Sequence, residues 1–384
     1  MKVDGEHPMH KMTFFPLGNA DCCRIDLACG KKLLFDFAAT SDPEDRGDLR
    51  CDLLKELRED LERCGRDSFD VVAFSHLDQD HFKGAADFFH LEHAAKYQGS
   101  DRVKMDIMWV PAALITEENC DLEEARILQR EARYRFKQGT GIRVFSRPER
   151  LSAWCQQNGV RLDDRRHLIT DAGGLVPEFN IAADGAEVFV HSPFAVRQNE
   201  NDVEMRNEDS LLFHVTFDVE GALTKALLLA DGTYESLSLI VSITKAHGRE
   251  ERLEWDIAKL PHHCSYLSVG PDKGQTKTLP TDHVAYLYEK KGQRGAIAIS
   301  TSKPIPVEGS AEDEDPQPPH RQSANYYKGV VQQLGGQFVA TMSHPNVAAP
   351  KPLVIEIGRT KGTLKKPTST AAITATTRNA PRAG

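Results

Sequence analysis

Paired cysteine spacing is missing from this chain. Its eight cysteines, the adjacent Cys22 and Cys23 among them, form no CxxC pair and sit in apolar segments such as CCRIDLACG. That argues against a zinc ribbon and reads as reduced core thiols rather than a disulfide frame. Missing too is any apolar run approaching the roughly 20 residues of a spanning helix. The opening MKVDGEHPMH has neither a charged start leading into an apolar stretch nor a cleavage site. No membrane partner is expected, and the cytoplasm is the expected compartment. Basic charge is not in excess: 57 acidic against 48 basic side chains leave a formal charge of −9. A basic coat is therefore excluded, although a local groove or a bound cation can reverse the field at one site.

What is present is ordinary globular material. With 40% apolar residues over 384 positions, the chain can bury one large core or two modest ones. Runs rich in branched and aromatic residues predict strands at MTFFPLG (12–18), CRIDLA (23–28), KLLFDF (32–37) and FDVVAFS (69–75). Leucines at helical spacing predict a helix in DLRCDLLKELREDLERC (48–64), with Asp48 placed to cap it. FKGAADFFHLEHAAKY (82–97) reads as a helix and KMDIMWVP (104–111) as a strand. The charged stretch beyond Glu117 reads as a helical insertion, bounded at about 112–180.

Strands follow at AEVFVHS (186–192), SLLFHVTF (210–217), KALLLAD (225–231) and WDIAKLP (255–261), with a helix at 233–247. The pattern closes with helices near 281–290 and 322–334 and strands at GAIAIS (295–300), QFVAT (337–341) and PLVIEI (352–357). The count predicts an α/β protein of two sheets with helices outside. Residues 1–357 form the expected folded domain. The acidic, proline-rich 304–319 reads as a mobile loop and 358–384 as a disordered low-complexity tail.

Against this background SHLDQDH (75–81) is dense in ligands: His76, Asp78, Asp80 and His81 lie at i, i+2, i+4 and i+5. A turn needs one Asp or Asn, so four cation-binding groups point to a metal. Asp36 ends KLLFDF, the cluster follows FDVVAFS, Asp231 ends KALLLAD, and His262 and His263 follow WDIAKLP. Each ends a predicted buried strand, where polar groups of α/β sheets converge on a site.

These residues resemble the metallo-β-lactamase fold superfamily, and within it the metallohydrolase domain of ComEC-type DNA-uptake proteins. The superfamily's HxHxDH loop is similar to His76-Leu-Asp78-Gln-Asp80-His81, with Asp in place of the second His as in the ComEC-type form. LGNADCCRIDL, with Gly18 and Asp21, resembles the family's opening turn, and NEDSLLFHV, with Asn207 and Ser210, its Asn-x-x-Ser strand. LLLADG is similar to the strand ending in a bridging Asp, and KLPHHCS to Pro-His-His-Gly-Ser with Cys264 replacing glycine. The resemblance covers about residues 12 to 357. No histidine clearly fills the superfamily's third motif; Asp209, His191 and His320 compete for nearby roles.

The resemblance implies an αββα sandwich of two mixed sheets flanked by helices, and a hydrolase with two divalent ions, zinc or manganese, with magnesium open. Two ions about 3.5–4 Å apart lower the pKa of a bridging water and clamp the attacking and leaving oxygens of a displacement. His76 and Asp78 would serve one ion, Asp80 and His81 the other, with Asp231 between them. One of His262 and His263 would complete the second ion's sphere while the other faces the leaving group as an acid. His320 is the further catalytic candidate; Asp36, Asp21, Asn207 and Ser210 would support the site.

Phosphodiester hydrolysis, in DNA above all, is the first expectation. A small phosphoester, cyclic nucleotide or lactone is the second, and a non-catalytic interaction module the third. Plainer roles compete at single residues. Asp36 and Asp231 can close turns, Asp21 and Asn207 likewise, His191 can bond backbone within its strand, and the insertion can be a solvated face or bind a protein partner.

Overall fold

Side-chain alternation sets which way the first strands face. The structure, a computed structural model, describes residues 9–118, 120–195, 198 and 206–365. In β3 (Lys32–Phe35), β4 (Ser68–Ala73) and β5 (Lys104–Pro111) one set of side chains, Leu33, Phe35, Val71, Ala73 and Trp109, joins a core shared with a second sheet. The alternate set, Leu34, Val72, Met108 and Val110, packs against Leu53, Leu57 and Leu61 of α1 (Leu53–Arg63) and against Leu128, Ala132 and Phe136 of α4 (Glu123–Gln138). Both faces are apolar because both are covered.

The first sheet also holds β1 (His10–Phe14), β2 (Cys23–Asp26), β6 (Ile142–Phe145), β7 (Ile169–Thr170), β14 (Leu353–Gly358) and β15 (Lys361–Leu364). Its order is β15-β14-β1-β2-β3-β4-β5-β6-β7. Pairing is antiparallel from β15 to β3 and parallel from β3 to β7.

The second sheet runs β13-β12-β11-β10-β9-β8, from β8 (Ala186–Ser192), β9 (Leu212–Val219), β10 (Ala222–Leu228), β11 (Trp255–Lys259), β12 (Gly292–Ser300) and β13 (Gln337–Ala340). Its β10 to β13 are parallel. Its core takes in Leu237, Ile240 and Val241 of α6 (Tyr234–Ala246) and Tyr327, Val330 and Val331 of α7 (Arg321–Gln333). This is an αββα sandwich, two mixed sheets face to face with helices on both outer faces, as expected. Trp109 pins the sheets together, edge-on to Phe213 of β9 at 5.5 Å and to Phe145 at 5.5 Å; such pairs add about 0.5–1.5 kcal/mol each beyond burial.

Four expectations are corrected. The helix expected over 82–97 shortens to α2 (Ala85–Phe88). Gly84 enters it at φ 83°, and the next backbone bonds run to a neighbouring segment, His90 N to Val103 O at 2.8 Å and Val103 N to Phe88 O at 3.0 Å. Phe88 then stacks on Phe37 at 5.0 Å and Phe89 meets the same ring edge-on at 5.1 Å. The cap of α1 is Asp52, which accepts from Lys55 N at 3.1 Å, while Asp48 is taken by Arg50.

The segment read as a helical insertion holds α3 (Ala112–Thr116), α4 and α5 (Glu149–Gln157), but also β6 and β7, which widen the first sheet. Ile142 and Val144 feed the helix-side core and Phe145 the inter-sheet core, so the strand was hidden between charged helices. Part of the expected tail, Lys361–Leu364, forms the edge strand β15; residues 366–384 lie outside the described residues.

Candidate metal centre

Parallel strands bring the ligands to one rim. Asp36 follows β3, Ser75 to His81 follow β4, Asp231 follows β10, and His262 and His263 follow β11. Asp21 reaches the same rim because β2 runs antiparallel to β3, which puts the start of β2 beside the end of its neighbour. Asp21, His81, Asp231 and His263, all buried, each offer a donor atom within 4.8 Å of the others.

The loops are strained where they turn inward. Asp36 (φ 59°), Ala230 (29°), His262 (47°), His263 (50°) and Cys264 (69°) hold left-handed backbone without being glycine, at about 1–3 kcal/mol each. Three in succession at His262–Cys264 splay the two imidazoles, whose ring centroids are 6.2 Å apart.

Hydrogen bonds on the outer nitrogens fix the tautomers. His81 Nδ1 donates to Asp36 Oδ2 at 2.9 Å, and Asp36 also accepts from Ser75 N at 2.7 Å and Ser75 Oγ at 2.8 Å. With its proton on Asp36, Ser75 Oγ accepts from His76 Nδ1 at 2.9 Å. His263 Nδ1 donates to Thr301 O at 2.8 Å. Three histidines thus turn Nε2 inward, as an outer-shell partner does for a metal-binding imidazole.

Asp231 divides the donors. Its Oδ2 lies 3.9 Å from His76 Nε2 and 3.8 Å from His262 Nε2, whereas its Oδ1 lies 3.2 Å from His81 Nε2. Asp78 Oδ2 is 3.5 Å from His76 Nε2. Asp80 Oδ2 meets His263 Nε2 at 2.9 Å and lies 3.9 Å from His81 Nε2. The buried His76 Nε2, His81 Nε2, Asp231 Oδ1 and His262 Nδ1 have no hydrogen-bond partner. Buried polar atoms rarely stay unmade, so a mixed imidazole–carboxylate set of this kind fits divalent cations.

Electrostatics agree. Burial disfavours charge on His81, but Asp231, Asp36 and Asp80 outweigh it and hold its pKa well above the ordinary value. His263 is raised against burial by Asp80, Asp21 and Asp231. Burial opposes ionisation of Asp80 and Asp231 as well, yet His81 with His263 keeps both low. Protons on imidazoles balance the carboxylates here, and a cation would take their place. His262, by contrast, is lowered by burial against the pull of Asp231.

Other candidates lie further out. Ser210 Oγ donates to Asn207 O at 2.7 Å, and Leu211 N bonds Ser75 O at 3.2 Å, which props the ligand loop. His320 spends both ring nitrogens on backbone, accepting from Tyr266 N at 3.2 Å and meeting Pro316 O at 3.2 Å. His191 Nε2 donates to Arg252 O at 2.9 Å.

Three residues escaped sequence reasoning. Lys259, 1% exposed, bonds Asp21 Oδ2 and Ala230 O. Burial opposes its charge, but Asp21 and Asp231 raise its pKa. A lysine inside the apolar run WDIAKLP was its available signal. Arg206 and Glu117, paired beside Asp78, had none.

Fold and cluster together define an αββα sandwich with a candidate metal centre on the common rim of its sheets. No known family's sequence profile matches the chain, and no curated protein matches it in sequence. Among solved structures, one similar chain is described as a new diphosphatase from the PhnP family. It shares 12% identity at a TM-score of 0.30, over 86% of this chain and 94% of that one. Among the described residues no helix is long and apolar enough to cross a membrane.

Proposed function

We propose that this protein is a metal-dependent hydrolase of phosphoesters, with phosphodiesters, DNA included, as the substrate class. The observation that carries the reading is the convergence of Asp21, His81, Asp231 and His263 within 4.8 Å, with the inward Nε2 atoms of His76 and His81 left without a hydrogen bond. Two ions are the natural complement, because each oxygen of Asp231 faces its own donors. His76, Asp78 and His262 would hold one ion; Asp80, His81 and His263 would hold the other. His262 then fills the place of the missing third histidine motif. Such ions supply Lewis acidity toward phosphoryl oxygens and a water acidic enough to attack near neutral pH.

The chain's own residues do the rest. Asp36 and Ser75 hold His81 and His76 in the tautomer that offers Nε2. Lys259 neutralises Asp21, which keeps that carboxylate from competing as a free anion in the cluster. Oxygen-rich donation, with Asp78 where the resembled loop has a second His, favours harder ions such as manganese or magnesium beside zinc.

The test is hydrolysis of single-stranded and linear duplex DNA and of bis(p-nitrophenyl) phosphate, with manganese, magnesium or zinc, beside Asp80→Ala. Metal-dependent cleavage that disappears in the variant supports the reading. A folded, metal-loaded protein inert toward every phosphoester refutes it.

A further inference from the structure

Asp78 uses its two oxygens for different neighbours. Oδ2 faces His76 Nε2 at 3.5 Å, on the cluster side, while Oδ1 accepts from Arg206 Nη1 at 3.0 Å. The guanidinium therefore stands one carboxylate away from the candidate ions. Its opposite edge is fixed: Nε and Nη2 both bond the Glu117 carboxylate. Glu117 is itself held, its carbonyl accepting from Gln129 Nε2 at 2.8 Å and from Arg133 Nη2 at 3.1 Å.

Exposure separates this cation from the other one at the site. Lys259 is 2% exposed in its side chain and saturated by Asp21 and Ala230 O, so nothing from solvent reaches it. Arg206 and Asp78 keep 29% and 37% of their side chains exposed, whereas Glu117 keeps 11%. The pair thus forms an open edge backed by a buried carboxylate. The two carboxylates that stay open to solvent here, Asp78 and Asp80, with 37% and 35% of their side chains exposed, would repel an anionic substrate without such a cation. A guanidinium also matches tetrahedral oxyanions, which take two of its N–H donors side by side.

We propose that Arg206 binds the phosphoryl oxygens of the substrate beside the metal centre, and that Glu117 is the positioning residue that aims it. This rests on the phosphoester reading above and gives α3 and the segment after it a place in substrate recognition. Asp78 keeps Oδ2 for the ion, and Arg206 turns its inner N–H groups to the phosphoryl group.

The test uses full-length, manganese-loaded protein and inorganic phosphate as the probe. Phosphate affinity is measured by calorimetry and metal content by elemental analysis, for wild type, Arg206→Ala, Arg206→Lys and Glu117→Gln. Arg206→Ala is expected to retain its metal and weaken phosphate binding by about 10- to 100-fold, the range one charge-assisted bond gives. Arg206→Lys keeps charge but not the fork and falls between, and Glu117→Gln loses less. In turnover of a diester the same variants raise KM more than they lower kcat.

Phosphate affinity in Arg206→Ala equal to wild type overturns the proposal and leaves the phosphoester reading standing. Loss of metal in both Arg206 variants also overturns it, since Arg206 would then serve only to place Asp78. Failure of wild-type, metal-loaded protein to bind phosphate overturns the proposal about Arg206, and inertness toward every phosphoester as well overturns the phosphoester reading.

Discussion

Asp36→Asn is the sharpest probe of how the site is prepared. The carboxylate is fully buried and accepts three bonds, from Ser75 N at 2.7 Å, Ser75 Oγ at 2.8 Å and His81 Nδ1 at 2.9 Å. Asn is nearly isosteric and tolerates the left-handed backbone of φ 59° found there. The backbone is therefore spared and only the acceptors change. An amide NH2 at the Oδ1 position faces the Ser75 N–H, and at Oδ2 it faces the protons of Ser75 Oγ and His81 Nδ1. Either way at least one buried donor is orphaned, at a cost of about 1–3 kcal/mol of stability for each.

If the amide sits at Oδ2, His81 must carry its proton on Nε2, the atom meant for the ion. Outer-shell losses of this kind lower metal affinity by about 10- to 100-fold, or about 1.4–2.7 kcal/mol. Calorimetric titration of zinc or manganese against a competing chelator reads the affinity, and a thermal melt reads the stability. A folded Asp36→Asn protein with wild-type affinity would refute the claim that Asp36 sets the tautomer of His81.

Three further outcomes are expected. Lys259→Met strands Asp21 as a buried, unpaired carboxylate and should cost about 3–5 kcal/mol in denaturant unfolding; Lys259→Met/Asp21→Asn should recover most of it, and a double variant no better than the single would sink the pairing argument. Burial holds His191 at about 4 and lowers His214 with it. The unfolded chain then takes protons near 6.5 that the folded chain refuses, so stability present above that pH falls as pH drops from 6.5 toward 4. His191→Gln should flatten that slope, measured by chemical unfolding at several pH values, and parallel slopes would contradict it. Chelator-stripped protein should melt lower than metal-loaded protein, with about 2.7 kcal/mol of stabilisation at a hundredfold excess of ion over Kd; Asp231→Ala should show no such rise.

Sequence pattern reached the candidate cluster because its residues follow buried strands, and both strand alternation and dense His/Asp spacing are local signals. His76 to His81, Asp231 and His263 are placed that way. The geometry that sorts them is not local. Which oxygen of Asp231 faces His76, and which faces His81, depends on how two sheets meet. Lys259 pairs with Asp21 across 238 positions, so neither residue announces the other. Glu117 and Arg206 are likewise joined only in space. In the fold, β6 was masked by the charged helices around it, and Asp48 lost the cap of α1 to Asp52 because the chain between them makes a separate turn around Arg50. The shortened α2 reflects tertiary bonds to Val103 that outweigh local helical preference.

The rim where the two sheets meet has a topological consequence. Asp36 and the 76–81 loop belong to the first sheet, Asp231 and His263 to the second, and the chain between His81 and Asp231 passes through α3 to α5 and the first strands of the second sheet. Cations bound between these loops as proposed would act as a reversible cross-link closing a very long loop, in the way a disulfide narrows an unfolded ensemble. Loading the centre would then tie the two halves of the sandwich together, so that supply of the ion would set how long the sheets stay docked as well as whether the site can work.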